Sequence, residues 1–217
     1  MLAVSGPSFA VPLMGQVEHS ERLDPVSQNA LPGKVFSDAL TQSLVKKSSP
    51  SKSLVPSWLA GSWERNQSTE TARISLPSNM RQKPAGVSVA KVTDKFGSFK
   101  DAQGRIWQLY DPGKAEGQVD RGDLVDHHVV SFYELIVTGP KSAVVEVTAT
   151  HLVVNKETSK ITSVYQDEEI NTYTSVVDGQ VRTDASIKVF DEHGKAIFLT
   201  KSVSMEARVA PFQDPVK

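Results

Sequence analysis

The sequence predicts an all-β fold. The expected form is a closed antiparallel up-and-down barrel of about eight to nine strands over residues 57–212, preceded by an extended N-terminal arm, residues 1–56, with one short helix near 34–47. Three observations carry this expectation. From Trp58 onward apolar and polar residues alternate with the period of a strand. Turn residues punctuate the alternation at regular intervals. No helical stretch between the runs is long enough for a crossover, so strands adjacent in sequence are expected to pair as a meander. A sheet of that many strands without a second layer is expected to close on itself, which removes its edges.

The arm is read from Pro7, Pro12, Pro25, Pro32, Pro50 and Pro56 and from the Ser/Lys-rich stretch at 46–53, which bury little. Within it Val35, Phe36, Ala39, Leu40 and Leu44 recur at helical spacing, and Lys46 and Lys47 fall where cations suit a helix C-terminus. This helix is expected to dock on the domain as a strap. Strands are then expected at Val87 to Val92, around Phe96-Gly-Ser-Phe99 and at Ile106 to Tyr110, with Asp101 and Gly104 forming the intervening turn. Val129 to Val137 ends at Gly139-Pro140, and Val144 to Val154 turns through Asn155 to Lys160. Ile161 to Tyr173, Val181 to Phe190 and Ile197 to Val209 follow, separated by Asp178-Gly179 and by Asp191 to Gly194.

Composition excludes several classes. Net charge is −1 and pI about 6.5, so nothing favours nucleic acid or an anionic membrane surface. The absence of cysteine removes disulfides, thiolate metal sites and cysteine nucleophiles. No apolar window is long enough to span a membrane as a helix. Met1 to Met14 lacks a basic start and is broken by Pro7 and Pro12, a poor secretory signal. Asn66-Gln67-Ser68 is a glycosylation sequon of small weight, and no phosphate-binding loop, dinucleotide pattern or nucleophile elbow is present.

Two constellations carry titratable groups. In Asp126-His127-His128 the two histidines of an extended strand point to opposite faces and cannot chelate one metal together, while His151 can share a face with one of them. They are read as surface or hydrogen-bonded structural histidines, and no metal site and no catalytic residue is expected. Asp167 and Glu169 share a strand face, the geometry of an acid/base pair, but are expected as solvated acids paired with Arg182 or Lys188.

The phrase Pro56-Ser-Trp58-Leu59-Ala-Gly61-Ser-Trp63 at the first strand and Arg208 on the last resemble the calycin group, that is, lipocalins, fatty-acid-binding proteins and their bacterial relatives. The phrase is also similar to the opening of uncharacterised lipocalin-like domains of cyanobacteria and chloroplasts. The resemblance implies a barrel closed by Gly61, Trp63 and Arg208, with the Arg stacked on the Trp. It also implies a small hydrophobic ligand such as a lipid, pigment or haem, with no obligate cofactor. The candidate ligand-binding residues are Trp63, Trp107, Phe132, Tyr133 and Arg182. Arg182 would hold a ligand carboxylate if its face turned inward, although the set Val181, Ala185, Ile187 and Val189 is expected inside. The expected function is therefore a non-enzymatic ligand-binding barrel in an organellar lumen, a chloroplast (thylakoid) or the periplasm. The alternative is a structural or assembly subunit whose residues 1–56 wrap around partner proteins.

Overall fold

The structure is a computed structural model and describes residues 18–45, 50–114 and 116–215. Met1 to Met14 and the Lys46–Lys47 helix end lie outside the described residues. The described residues form one seven-residue α-helix, α1 (Asp38–Leu44), and twelve strands. These are β1 (Ser51–Val55), β2 (Gly61–Ser75), β3 (Met80–Gln82), β4 (Val87–Phe96), β5 (Phe99–Lys100) and β6 (Ile106–Tyr110). They continue with β7 (Glu116–Arg121), β8 (Leu124–Gly139), β9 (Ser142–Asn155), β10 (Ile161–Val177), β11 (Gln180–Phe190) and β12 (Ala196–Pro211).

The all-β, antiparallel expectation stands, but the closed barrel does not. The strands form two sheets. A nine-stranded one runs β3-β2-β12-β11-β10-β9-β8-β7, with β4 also on β2, and a three-stranded one runs β1-β6-β5. Among the described residues no ladder joins β4 to β7 or β8, so the large sheet is open and keeps two edges. The reason lies at Gly97. Its φ of +105° turns the chain out of the sheet after Phe96, and a Cβ there would meet the Phe212 ring at 2.6 Å and Ile106 at 2.8 Å. The chain then passes through the Asp101–Gly104 turn, closed by Gly104 N–H to the Asp101 carbonyl at 2.9 Å, and β6 pairs with β1. Residues 51–55, expected as arm, thus take the hydrogen bonds that a closing strand would have used.

The small sheet caps one end of the curved large sheet. Val55, Leu59, Trp63, Phe96, Leu135, Val145, Tyr173 and Val181 pack there as the main core. A second core lies on the outer face, where Val26, Ala30 and Leu40 of the arm cover Leu152, Val154, Ile161 and Val164. The helix is shorter than its pattern because Val35 bridges Lys160 and the Phe36 amide bonds the Ser159 carbonyl at 2.9 Å, which holds both residues extended. No helix among the described residues is long and apolar enough to cross a membrane.

Candidate metal centre

Register brings the site together. In an antiparallel ladder, residues directly opposite each other share a face. His128 on β8 faces His151 on β9, and His151 faces Tyr165 on β10. Asp126 and Asp167 each lie two residues along their own strands, so both join the same inner face. His127 goes to the outer face and stacks on Phe36 with ring centroids 4.0 Å apart.

His151 is the hub. Its Nδ1 lies 3.2 Å from Asp126 Oδ1 and its Nε2 3.0 Å from Asp167 Oδ2. Tyr165 stacks on the ring at 4.3 Å, and His128 lies 4.3 Å away on the same face. Asp126 is fully buried. Its Oδ2 accepts from Arg121 at 2.5 Å and from the Tyr165 hydroxyl at 3.2 Å, which leaves Oδ1 turned toward the histidines. His128 Nε2 sits 3.5 Å from that Oδ1, is shielded from solvent and has no hydrogen-bond partner. Asp167 Oδ1 is likewise buried and unpaired.

Charge follows from this packing. Burial works to raise Asp126, but His151, His128 and Arg121 outweigh it and hold the carboxyl below its usual range. Burial works to lower His151, yet the hydrogen bond and charge of Asp167, together with Asp126, raise it. His128 is lowered, first by burial and then by the neighbouring His151, against the opposing pull of Asp126 and Asp167. Burial raises Glu169, and Asp167 beside it adds to the shift. The solvated, Arg182- or Lys188-paired acids that the alternation suggested are therefore corrected: Asp167 is buried on the inner face and paired with His151.

Asp126, His128 and His151 each offer one ligand atom, and the three atoms lie within 4.8 Å of one another. Ligands about 2.0–2.1 Å from a tetrahedral zinc ion stand roughly 3.3 Å apart. The 3.2 Å and 3.5 Å separations around Asp126 Oδ1 match that spacing. The Nε2–H of His151 directed at Asp167 is the outer partner that a metal-bound histidine needs to fix its tautomer. The pair His127–His128 indeed cannot chelate together. The histidine that shares a face with His128 is His151, on the next strand.

The expected ligand and closure residues are distributed differently. Trp63 is 1 % exposed, donates from Nε1 to the Leu59 carbonyl at 2.7 Å, and lies in the main core. Arg208 is its cross-strand neighbour, with the guanidinium 4.8 Å over the ring and Nη2 donating to the Trp58 carbonyl. Gly61 is where β2 crosses the end of β12. Its φ is +131°, and a Cβ there would meet the Ala210 carbonyl at 2.5 Å. Tyr133 packs on the core, stacked on Tyr110. Trp107 donates to Asp101 on the small sheet. Phe132 is 39 % exposed, and Arg182 is exposed and held by Asp184 on the outer face. None of these seven lines the cavity of about 660 Å³ found between β2 and β12, whose walls include Thr69, Val203, Met205 and Ala207.

A second polar network lies further along the inner face. Arg65 donates to Asp94 at 3.0 Å and to Glu206 at 3.3 Å, and the Thr183 hydroxyl donates to Glu206 at 2.7 Å. Burial raises the carboxyls of both Glu206 and Asp94.

No protein-family model, no curated protein and no solved structure matches this chain.

Proposed function

We propose that this protein is a metal-binding module that holds one divalent first-row transition ion, of the zinc class, on Asp126, His128 and His151. The observation that carries the reading is the buried, unpartnered His128 Nε2 beside an Asp126 Oδ1 that also faces His151. A buried nitrogen without a partner costs free energy unless something supplies one. Two imidazoles and a carboxylate suit zinc or iron(II), and three protein ligands leave a coordination position for water or an exogenous ligand. Without metal, Asp167 and Asp126 favour the protonated form of His151 against its burial. A metal at Nδ1 would take the place of the proton there, with His151 Nε2–H still donating to Asp167.

The test is calorimetric titration of the full chain with ZnCl₂ beside the variant His128→Ala. The reading expects one ion per chain, lost in the variant. Equal zinc binding by both proteins would overturn it.

A second reading, the binding of a small hydrophobic ligand, draws on the cavity of about 660 Å³ and its Val203, Met205 and Ala207 walls. Native mass spectrometry of gently purified protein separates the two by the mass carried: a metal ion or an organic molecule. The described part of the arm, residues 18–45, packs on this chain's own sheet. That position favours a strap over a tether to partners.

A further inference from the structure

Each strand that lines the candidate centre is gripped on its opposite face by the N-terminal arm. On β8 the outward residue between Asp126 and His128 is His127, stacked on Phe36. On β9 the neighbour of His151 is Leu152, fully buried in the cluster with Val26, Ala30 and Leu40. On β10 the neighbour of Asp167 is Glu168, which accepts from the Ser20 amide at 2.7 Å and has His19 Nδ1 at 3.5 Å. The Lys188 ammonium fixes the same turn by donating to the Ser20 carbonyl. Even β7, which supplies Arg121, is reached by the arm: Gln42 of α1 donates to Glu116 at 2.9 Å. Three successive strands thus present a metal-site residue inward and an arm contact outward at adjacent positions.

We infer that the arm, residues 18–45, is the positioning element of the metal centre, so that arm docking and metal binding are thermodynamically linked. The inference rests on the metal reading above. Its physical basis is that a three-ligand site must be held to within about 0.5 Å of its productive geometry. The three ligands come from strands whose only covering layer on the far side, among the described residues, is this arm. Among the described residues the arm is joined to the rest of the chain by five backbone bonds, Leu23 N–H to Gly194, Val26 N–H to Glu192, Gly33 N–H to Ile161, Ile161 N–H to Lys34 and Phe36 N–H to Ser159, rather than by a continuous ladder. It is therefore a segment able to undock without unfolding the sheet. Linkage is reciprocal: if docking improves the site, metal strengthens docking by the same factor. Phe36 and Leu40 are positioning residues in this account, and neither touches the ion.

The test is hydrogen exchange followed by mass spectrometry on the full chain, with and without saturating ZnCl₂, together with zinc titration of Phe36→Ala. The expected result is exchange slowed about tenfold in residues 19–45 by zinc, no comparable slowing in the β1–β6 sheet, and zinc affinity reduced about tenfold by Phe36→Ala. In His128→Ala the zinc effect on the arm should vanish. If zinc binds to wild type and arm exchange is unchanged, the linkage is wrong and the metal reading survives. If zinc slows the arm equally in His128→Ala, the effect does not pass through this site and the inference is wrong. If wild type binds no zinc, both fall. The exchange arm of the experiment uses wild-type protein and stays decisive even if Phe36→Ala fails to fold.

Discussion

The inner face of the large sheet has two ends that solve the same burial problem in opposite ways. At one end Trp63, Phe96, Leu135, Tyr173 and Val181 pack into an apolar core; Arg208 stacks on Trp63 with its Nη2 donating to the Trp58 carbonyl, while its Nε and the Trp58 Nε1 are buried without a hydrogen-bond partner. At the other end Asp126, His151 and Asp167 are buried just as deeply, and the polar atoms there, with His128 Nε2 and Asp167 Oδ1 lacking a hydrogen-bond partner, gather around one histidine. Apolar burial contributes stability directly, whereas buried polar groups cost it unless paired. The difference teaches that the first end draws its stability from apolar packing, while at the second the ligand atoms of Asp126, His128 and His151 converge within 4.8 Å of one another.

That contrast can be broken at several points. The largest effect is expected from Trp63→Ala, which opens a cavity in the apolar end. Chemical denaturation should show a loss of roughly 3–5 kcal/mol. His128→Ala should have the reverse profile: zinc affinity down by more than about a hundredfold, and metal-free stability changed by less than about 1 kcal/mol, since an unpartnered nitrogen is removed. Calorimetry and denaturation on the same variant read both quantities. Asp167→Asn keeps the shape but weakens the acceptor for His151, and zinc affinity should fall by about 10- to 100-fold.

The smallest effect concerns pH. The Glu206 carboxyl is raised on folding, so the folded state holds its proton to higher pH than the unfolded chain does. Its contribution is therefore present below the unfolded carboxyl range and is lost as pH rises through the folded value. Glu206→Gln removes that loss. Between pH 4 and pH 7 the variant should gain on wild type by on the order of 1 kcal/mol, read from denaturant midpoints at each pH.

Much of the apolar end was legible in the sequence. Gly61 and Trp63 in the opening phrase and Arg208 on the last strand were singled out together, and β2 and β12 do pair. The long strands followed from alternation and turns. What the pattern could not carry is closure. Whether edge strands meet depends on where the chain leaves the sheet, and here a single residue, Gly97, sends it across the end to pair with Ser51–Val55. The polar end was half legible. His128, His151 and Asp167 were each noticed, but alternation says only which residues share a face within one strand. Register decides which meet across strands. His128, His151 and Tyr165 come into one row only through register shifts between Val130 and Phe132, between Val137 and Gly139 and between Ile161 and Ser163, which the turn residues do not announce. Arg121 and Tyr165, which orient Asp126, carried no signal of their own, since their role arises only from contact with a buried acid.

The measurement that bears most directly on the account is an anomalous diffraction map at the zinc edge from crystals grown with stoichiometric ZnCl₂. The account predicts one strong peak on the inner face, about 2.0–2.1 Å from Asp126 Oδ1, His128 Nε2 and a ring nitrogen of His151. A map with no peak there, or with zinc only on exposed groups such as His193, would contradict it.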